Sequence, residues 1–221
     1  NGYFLSDVKV NKATTGGIEI EAKVSNITEG HNTPTGFTGE RLVWLRVTVT
    51  DASGKVVFQS GDTDANGDVR DHESAFVHAG QLPLDTQLFS LQSRFLVQSI
   101  RGGERERTVT IPYSTTSLPF LRPTRLSLIL TGESTVERNH RKGIEPLGHR
   151  IAIFEVDSDL LTGKGTYSAK VELLAQMFPI NLITAIQVVG FDYGISPRDV
   201  AQAVVDGREV LYEENITINV K

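Results

Sequence analysis

The densest set of chemistry-bearing residues in the chain is Asp62-Thr-Asp64-Ala-Asn66-Gly67-Asp68-Val-Arg-Asp-His-Glu73. Short oxygen-bearing side chains recur at alternate positions, a glycine permits a sharp reversal, and a glutamate arrives late enough to bind with both oxygens. This is the spacing of a calcium loop, D-x-[DN]-x-[DN]-G-x5-E. Asp62, Asp64, Asn66, Asp68 and Glu73 are therefore the candidate metal ligands, with calcium as the candidate cofactor. Residues 56–59 ahead of the loop read as a strand, whereas a helix–loop–helix hand needs a helix there. An ion at this place is expected to stiffen a loop. The competing reading is a solvated turn, since Asp, Asn and Gly are also what turns are made of.

Other chemistry finds less support. The five histidines are His31, His72, His78, His140 and His149, and no two have the i, i+4 spacing that would place them on one helical face around zinc. The chain has no cysteine. That excludes a disulfide framework, a thiolate zinc site, a cysteine nucleophile, blue copper and a CxxCH haem attachment within this chain. There is no nucleophile elbow, Walker loop or dinucleotide fingerprint. Gly102-Gly103 reads as a turn. A carboxylate pair for glycoside hydrolysis would meet only in three dimensions, and one Trp with 7% aromatics is a thin supply for stacking sugars. The sequons Asn26-Ile-Thr28 and Asn215-Ile-Thr217 would matter only in a eukaryotic secretory host. The expectation is a protein that is not an enzyme.

The elements that must carry these residues are mostly strands. Ile18, Ile20, Ala22 and Val24 alternate with Glu19, Glu21, Lys23 and Ser25, and Val43, Leu45, Val47 and Val49 alternate with Arg46, Thr48 and Thr50. The same period of two recurs at 55–60, 89–100, 107–113, 125–131, 150–157, 167–177 and 210–220, as antiparallel strands with one apolar face require. Asp51-Ala-Ser-Gly54 reads as a hairpin turn. Helical spacing begins at Pro179, and Ser196-Pro197-Arg198-Asp199 offers an N-cap, a proline for the first turn and an acid, with Gly207 closing the helix. The expected fold is all-β, an antiparallel immunoglobulin-like sandwich with one or two short helices near the C-terminus. The 221 residues suffice for a single elaborated domain over 1–221, with a sheet-to-sheet crossing near 114–123. In that frame Trp44 is expected in the sheet interface.

Net charge is -5, which leaves no electrostatic footprint for nucleic acid, and no apolar run reaches the roughly 18 residues that span a membrane. The chain starts at Asn1 rather than Met, which suggests a processed or excised polypeptide.

Gly30-His31-Asn32-Thr33-Pro34-Thr35-Gly36, then Arg41-Leu-Val-Trp44-Leu-Arg-Val47, then Asp51-Ala-Ser-Gly54-Lys-Val-Val-Phe-Gln-Ser-Gly61 form a sequence of motifs. Further on come Arg101-Gly-Gly-Glu-Arg105, Leu118-Pro-Phe-Leu-Arg-Pro123, Gly143-Ile-Glu-Pro-Leu-Gly148 and a late strand running into Phe178-Pro179. Together these resemble the haem-free β-domain fused C-terminal to the haem-binding part of bacterial extracytoplasmic multihaem c-type cytochromes. The resemblance implies an extracytoplasmic location and a multihaem cytochrome chain or domain as partner. It departs from the family in that the CxxCH-bearing half is absent, so such a domain would position, cover or dock haems held elsewhere. Pro34, Thr35 and Gly36 form a rigid turn, since Pro34 fixes φ and Gly36 permits φ > 0. His31 opens it, either bracing the turn backbone or serving as axial ligand to haem of a neighbouring domain or chain. The alternative is a calcium-stiffened adhesion or filament-forming homo-oligomer with 216–220 as a strand donor. A hydrolase assembled from distant loops is the least favoured.

Overall fold

The computed structural model describes residues 2–35, 41–99, 107–111, 125–128, 133–140, 142–187 and 194–221. For the strands between residues 94 and 140, and for Ala185, only the backbone is described. Eleven strands and three short helices are described: β1 (Tyr3–Thr14), β2 (Gly17–Asn26), β3 (Leu42–Asp51), β4 (Val56–Ser60), α1 (Ala75–His78), β5 (Arg94–Ser99), β6 (Arg107–Ile111), β7 (Arg125–Leu128), β8 (Glu133–His140), β9 (His149–Val156), β10 (Gly165–Gln176), α2 (Ile180–Ile186), α3 (Pro197–Asp206) and β11 (Glu209–Val220).

Alternation along the strands explains the architecture. A sheet with one apolar face buries it against a second such sheet. Sheet β1-β2-β9 and sheet β11-β10-β3-β4 do this, all pairs antiparallel. Ile18, Ile20, Ala22, Val24 and Phe154 of the first sheet share one core with Leu45, Val47, Val49, Val171, Leu173 and Ile218 of the second. Each Val, Leu, Ile and Phe among them contributes roughly 1.5–3 kcal/mol by leaving water. A one-residue slip of β3 would turn Val43, Leu45, Val47 and Val49 outward together, so the register is strongly held. The fold is thus an all-β sandwich with few short helices, and no described helix is long and apolar enough to cross a membrane.

Sequence periodicity missed two strands. In β1 the register shifts between Ser6 and Lys9 and again between Val10 and Lys12, with Asp7 at φ 52°, so inward and outward positions do not alternate cleanly. In β8, Glu-Ser-Thr-Val-Glu-Arg-Asn-His has no apolar face to read. It belongs to a further four-stranded sheet, β6-β5-β8-β7, formed within residues 94–140. The crossing expected near 114–123 lies outside the described residues, as do Gly36 and Gly102-Gly103.

One side of the sandwich is sealed by the segment leading into β5. Asp85 accepts from Ser60 Oγ at 2.9 Å and from Gly61 N–H at 2.7 Å. The Gln87 amide then pairs with the Glu155 backbone on β9, and Phe89 and Leu91 bond the β3 backbone at Leu45 and Val43.

Trp44 lies on the other face of β3 from the place expected. It is fully buried with Leu42, Val69 and Leu174 in a second, smaller cluster outside the sandwich interface. Its indole N–H donates to Gly61 O at 2.8 Å, and the Arg208 guanidinium lies 5.1 Å from the ring centroid. Gly61 has φ +72°, and a Cβ there would sit 2.0 Å from Leu45 O, so only glycine allows this approach. The correction has a simple cause. The loop after β4 folds back over the outer face of β3, creating an interior that strand alternation alone does not reveal.

Candidate functional site

Two of the motif segments, 30–35 and 143–148, meet near the end of β2, and a buried asparagine that sequence reasoning passed over as a sequon holds them there. Asn26, 1% exposed at the end of β2, donates from Nδ2 to His31 O at 2.9 Å and to Ile144 O at 3.0 Å. Its Oδ1 accepts from Thr28 N–H at 2.9 Å and Thr28 Oγ1 at 2.7 Å. Two loops more than a hundred residues apart in sequence are thus tied to one amide. They also pair directly, Thr33 N–H to Ile144 O at 2.9 Å and Ile144 N–H to Thr33 O at 2.8 Å. A Cβ at Gly143 would lie 2.9 Å from Thr33 O, which explains the glycine opening that second loop. With Nδ2 buried and twice engaged, Asn26 offers no amide for a glycan.

Within this frame Pro34 is buried, the Thr33–Pro34 peptide is cis, and Thr35 is exposed. The His31 carbonyl accepts from Asn26 and from Thr28 Oγ1 at 3.0 Å, which ties it to β2. The ring is exposed, and its Nδ1 lies 3.3 Å from Asn32 O of the turn backbone, its one hydrogen-bond partner among the described residues.

Beside the turn lies a cleft of about 580 Å³. His31, Pro34 and Thr35 line it from the turn, Tyr3 from β1, Arg41 and Val43 from the start of β3, Gln176 and Met177 from the end of β10, and Leu211 from β11. Burial pushes the Tyr3 phenol up to about 12, against the Thr33 hydroxyl and the Arg41 charge, which both favour ionisation. Tyr3 is therefore a neutral hydroxyl at physiological pH. Met177 is 68% exposed, an unusual place for the only methionine of the chain. The cleft thus combines an exposed imidazole, an exposed thioether, a guanidinium and apolar wall. Among the described residues that line it, no hydroxyl is hydrogen-bonded to the His31 ring.

The residues of the calcium spacing are employed differently. Asp62 is paired with Arg70, whose Nη2 donates to Oδ1 at 2.6 Å. Asp64 Oδ1 accepts three backbone N–H groups, from Asn66, Gly67 and Asp68, at 2.8, 3.0 and 3.1 Å. Its Oδ2 accepts from Ser74 Oγ at 2.6 Å, and Ser74 in turn caps α1. Asp68 reaches across the chain to the start of α2, accepting from Ile180 N–H at 2.7 Å and Asn181 N–H at 3.1 Å. Pro179 has no side-chain group for that purpose, so a residue far away in sequence caps the helix. Asn66 is exposed, and the Glu73 N–H donates to Asp71 Oδ1 at 2.8 Å. Among the described residues no three His, Asp or Glu side chains are grouped so as to hold a metal ion. The same residues fasten the loop to α1, α2 and the Trp44 cluster.

Burial pushes the Asp68 carboxyl up to about 7, helped by the Asp64 and Asp71 charges and opposed by the two backbone N–H groups. On the outer face of β3 and β10, Glu172 is 3% exposed and meets Arg46 through two bonds, 2.6 and 2.9 Å, and Lys170 at 2.9 Å. Burial raises its carboxyl, but the two cations outweigh burial and hold it below its ordinary value. An open cleft of about 680 Å³ overlies this network. Its charges already satisfy one another, which makes it a poorer site than the His31 cleft.

No protein-family profile matches the chain, and no curated protein matches it. Among solved structures, the chain is similar to a penta-haem cytochrome c552 from Thermochromatium tepidum, with 13% identity and a TM-score of 0.50. The similarity covers 98% of this chain and 40% of that cytochrome chain, so this chain spans well under half the cytochrome's length. At that identity the likeness is one of fold, and it extends over nearly every element described above.

Proposed function

We propose that this chain is a non-catalytic, extracytoplasmic β-sandwich that docks to, covers or positions a multihaem c-type cytochrome. The haems would be held by a partner chain or by another part of the same polypeptide. The observation that carries the reading is the fold match, in which almost the whole chain corresponds to a minor part of a penta-haem cytochrome chain. The absence of cysteine supports it from the other side, because covalent c-type haem cannot be attached to these residues.

We take the His31 cleft as the docking face, and the side chains that line it support that reading. The His31 backbone is fixed by bonds to its carbonyl and its ring is exposed with Nδ1 on Asn32 O, which leaves Nε2 as the atom that would meet haem iron. Met177 offers a second side chain of a type that ligates haem iron, and Arg41 offers a charge suited to a propionate. A domain without a redox centre contributes position and exclusion of water, and electrons would move only between the partner's haems.

The test is to purify the protein from its native source under mild conditions and record the visible spectrum and the intact mass of every co-eluting chain. A Soret band carried by a haem-bearing polypeptide, and lost on His31→Ala with Met177→Ala, supports docking through the cleft. A Soret band unaffected by those changes would leave the partner but move the docking face. A colourless single species refutes the reading.

A further inference from the structure

Gly67, in the acidic loop between β4 and α1, occupies a place that only glycine can fill. Its φ is +97°, and a Cβ there would lie 2.5 Å from Val205 Cγ2 of α3. The residue before it, Asn66, is exposed. The packing of α3 thus forces an asparagine–glycine pair onto the surface. Such pairs lose the asparagine amide most readily, because glycine has no Cβ to hinder attack by its own backbone nitrogen.

That reaction has a defined course. The Gly67 nitrogen attacks Asn66 Cγ and gives up its proton, the Cγ–Nδ2 bond breaks, and ammonia leaves a five-membered succinimide behind. Water then opens the ring at either carbonyl, giving aspartate or isoaspartate at position 66. In the closed loop the attacking nitrogen is held from this course. Gly67 is buried, and its N–H donates to Asp64 O and to Asp64 Oδ1, both at 3.0 Å. The same Oδ1 accepts the N–H groups of Asn66 and Asp68, so the carboxylate clamps three consecutive residues. The cover over the clamp is loose, since α3 has no buried residue. Opening there requires much less than global unfolding.

We infer that Asn66–Gly67 is a deamidation site gated by Asp64, at which local opening of the loop leads to a slow, one-way change that prevents full reclosure. Isoaspartate places an extra carbon in the backbone between residues 66 and 67. Gly67 then cannot keep its N–H on Asp64 while its carbonyl accepts from Arg208 Nη2, a bond of 2.9 Å in the closed loop. Arg208 covers the Trp44 ring, so the modification is reported by the indole. None of these residues lines the His31 cleft, and the inference stands independently of the cytochrome reading.

The purified chain, native and urea-unfolded, is incubated in mildly alkaline buffer and followed by peptide mapping with mass spectrometry. Mapping separates position 66 from Asn1–Gly2, the other such pair. Native wild type should convert more slowly than the unfolded chain by about tenfold or more. Asp64→Ala should lose most of that protection, whereas Asp64→Asn, which keeps an acceptor oxygen, should retain it. If Asp64→Ala loses its native circular dichroism, Ser74→Ala decides instead, because it frees Asp64 Oδ2 and should also speed conversion. The isoaspartyl product should emit at longer wavelength than Asn66→Asp, which adds the charge without the extra backbone carbon. Equal rates in native and unfolded wild type overturn the inference. So does a folded Asp64→Ala, or in its place Ser74→Ala, that converts no faster than wild type, and so does an isoaspartyl product with unchanged Trp44 emission.

Discussion

Asn26 is the residue on which the site depends most, and the cost of altering it can be worked from its bonds. Asn26→Ala removes four hydrogen bonds, two donated to His31 O and Ile144 O and two accepted from Thr28. Both carbonyls retain another donor, Thr28 Oγ1 for His31 and Thr33 N–H for Ile144, so neither is left wholly unpaired. At about 0.5–1.5 kcal/mol net per bond, the loss should be roughly 2–6 kcal/mol. Asn26→Asp is the sharper probe, because it keeps the acceptor oxygen and replaces the buried donor by a charged acceptor facing two carbonyls. At neutral pH it should cost more than Asn26→Ala despite being nearly the same shape. Protonation restores one donor, so that carboxyl's folded pKa must lie above its unfolded value. Its contribution is then favourable at low pH and lost as pH rises, and the deficit relative to Asn26→Ala should shrink on acidification. Urea unfolding at neutral and acidic pH measures both, with unchanged m-values as the check on two-state behaviour. If Asn26→Asp equals wild type at neutral pH, the assigned donor direction is wrong and the two loops are held by something else.

Among the described residues the exposed His31 ring bonds only Asn32 O at 3.3 Å, so His31→Ala should change stability by less than about 0.5 kcal/mol; a loss near 2 kcal/mol in urea unfolding would show that the ring braces the loop. Asp68 should hold a proton in the fold between its unfolded value near 3.8 and its folded value of about 7. Stability from it is full below that window and falls as pH rises through it, by on the order of 4 kcal/mol at most. Wild type minus Asp68→Asn isolates this component, and parallel stability–pH curves would refute it. The bonds made by Asp62, Asp64 and Asp68 predict that neither calcium nor chelator will move Tm, whereas a rise with calcium would restore the ion-binding reading. Trp44 emission should be blue-shifted in the native state, and Arg208→Ala should move it to longer wavelength as water reaches the ring; unchanged emission would contradict the guanidinium's place over the indole.

How far the sequence could be read depends on the range of the interaction in question. Alternation in β2, β3, β9 and β10 was legible because each strand's inward face is recorded in its own residues, and the box at Ser196 and Asp199 was legible because a cap is a local event. β1 and β8 were not, one because bulges break its period and the other because it has no apolar face. Trp44 was expected in the sheet interface because alternation does not tell which outer face a loop will cover. The acidic spacing of residues 62–73 matched a calcium loop, yet the carboxylates of Asp62, Asp64 and Asp68 are engaged by Arg70, Ser74 and the first turn of α2. Chemical types at the turn around His31 were present in the sequence, as was the cysteine count that keeps covalent haem away. The cleft itself, lined by Met177, Tyr3 and His31 together, and the amide of Asn26 joining Thr28, His31 and Ile144, were decided by tertiary structure alone. A strand's period is set by neighbours one or two residues away, whereas a site is made by groups whose separation in the chain carries no trace of their contact.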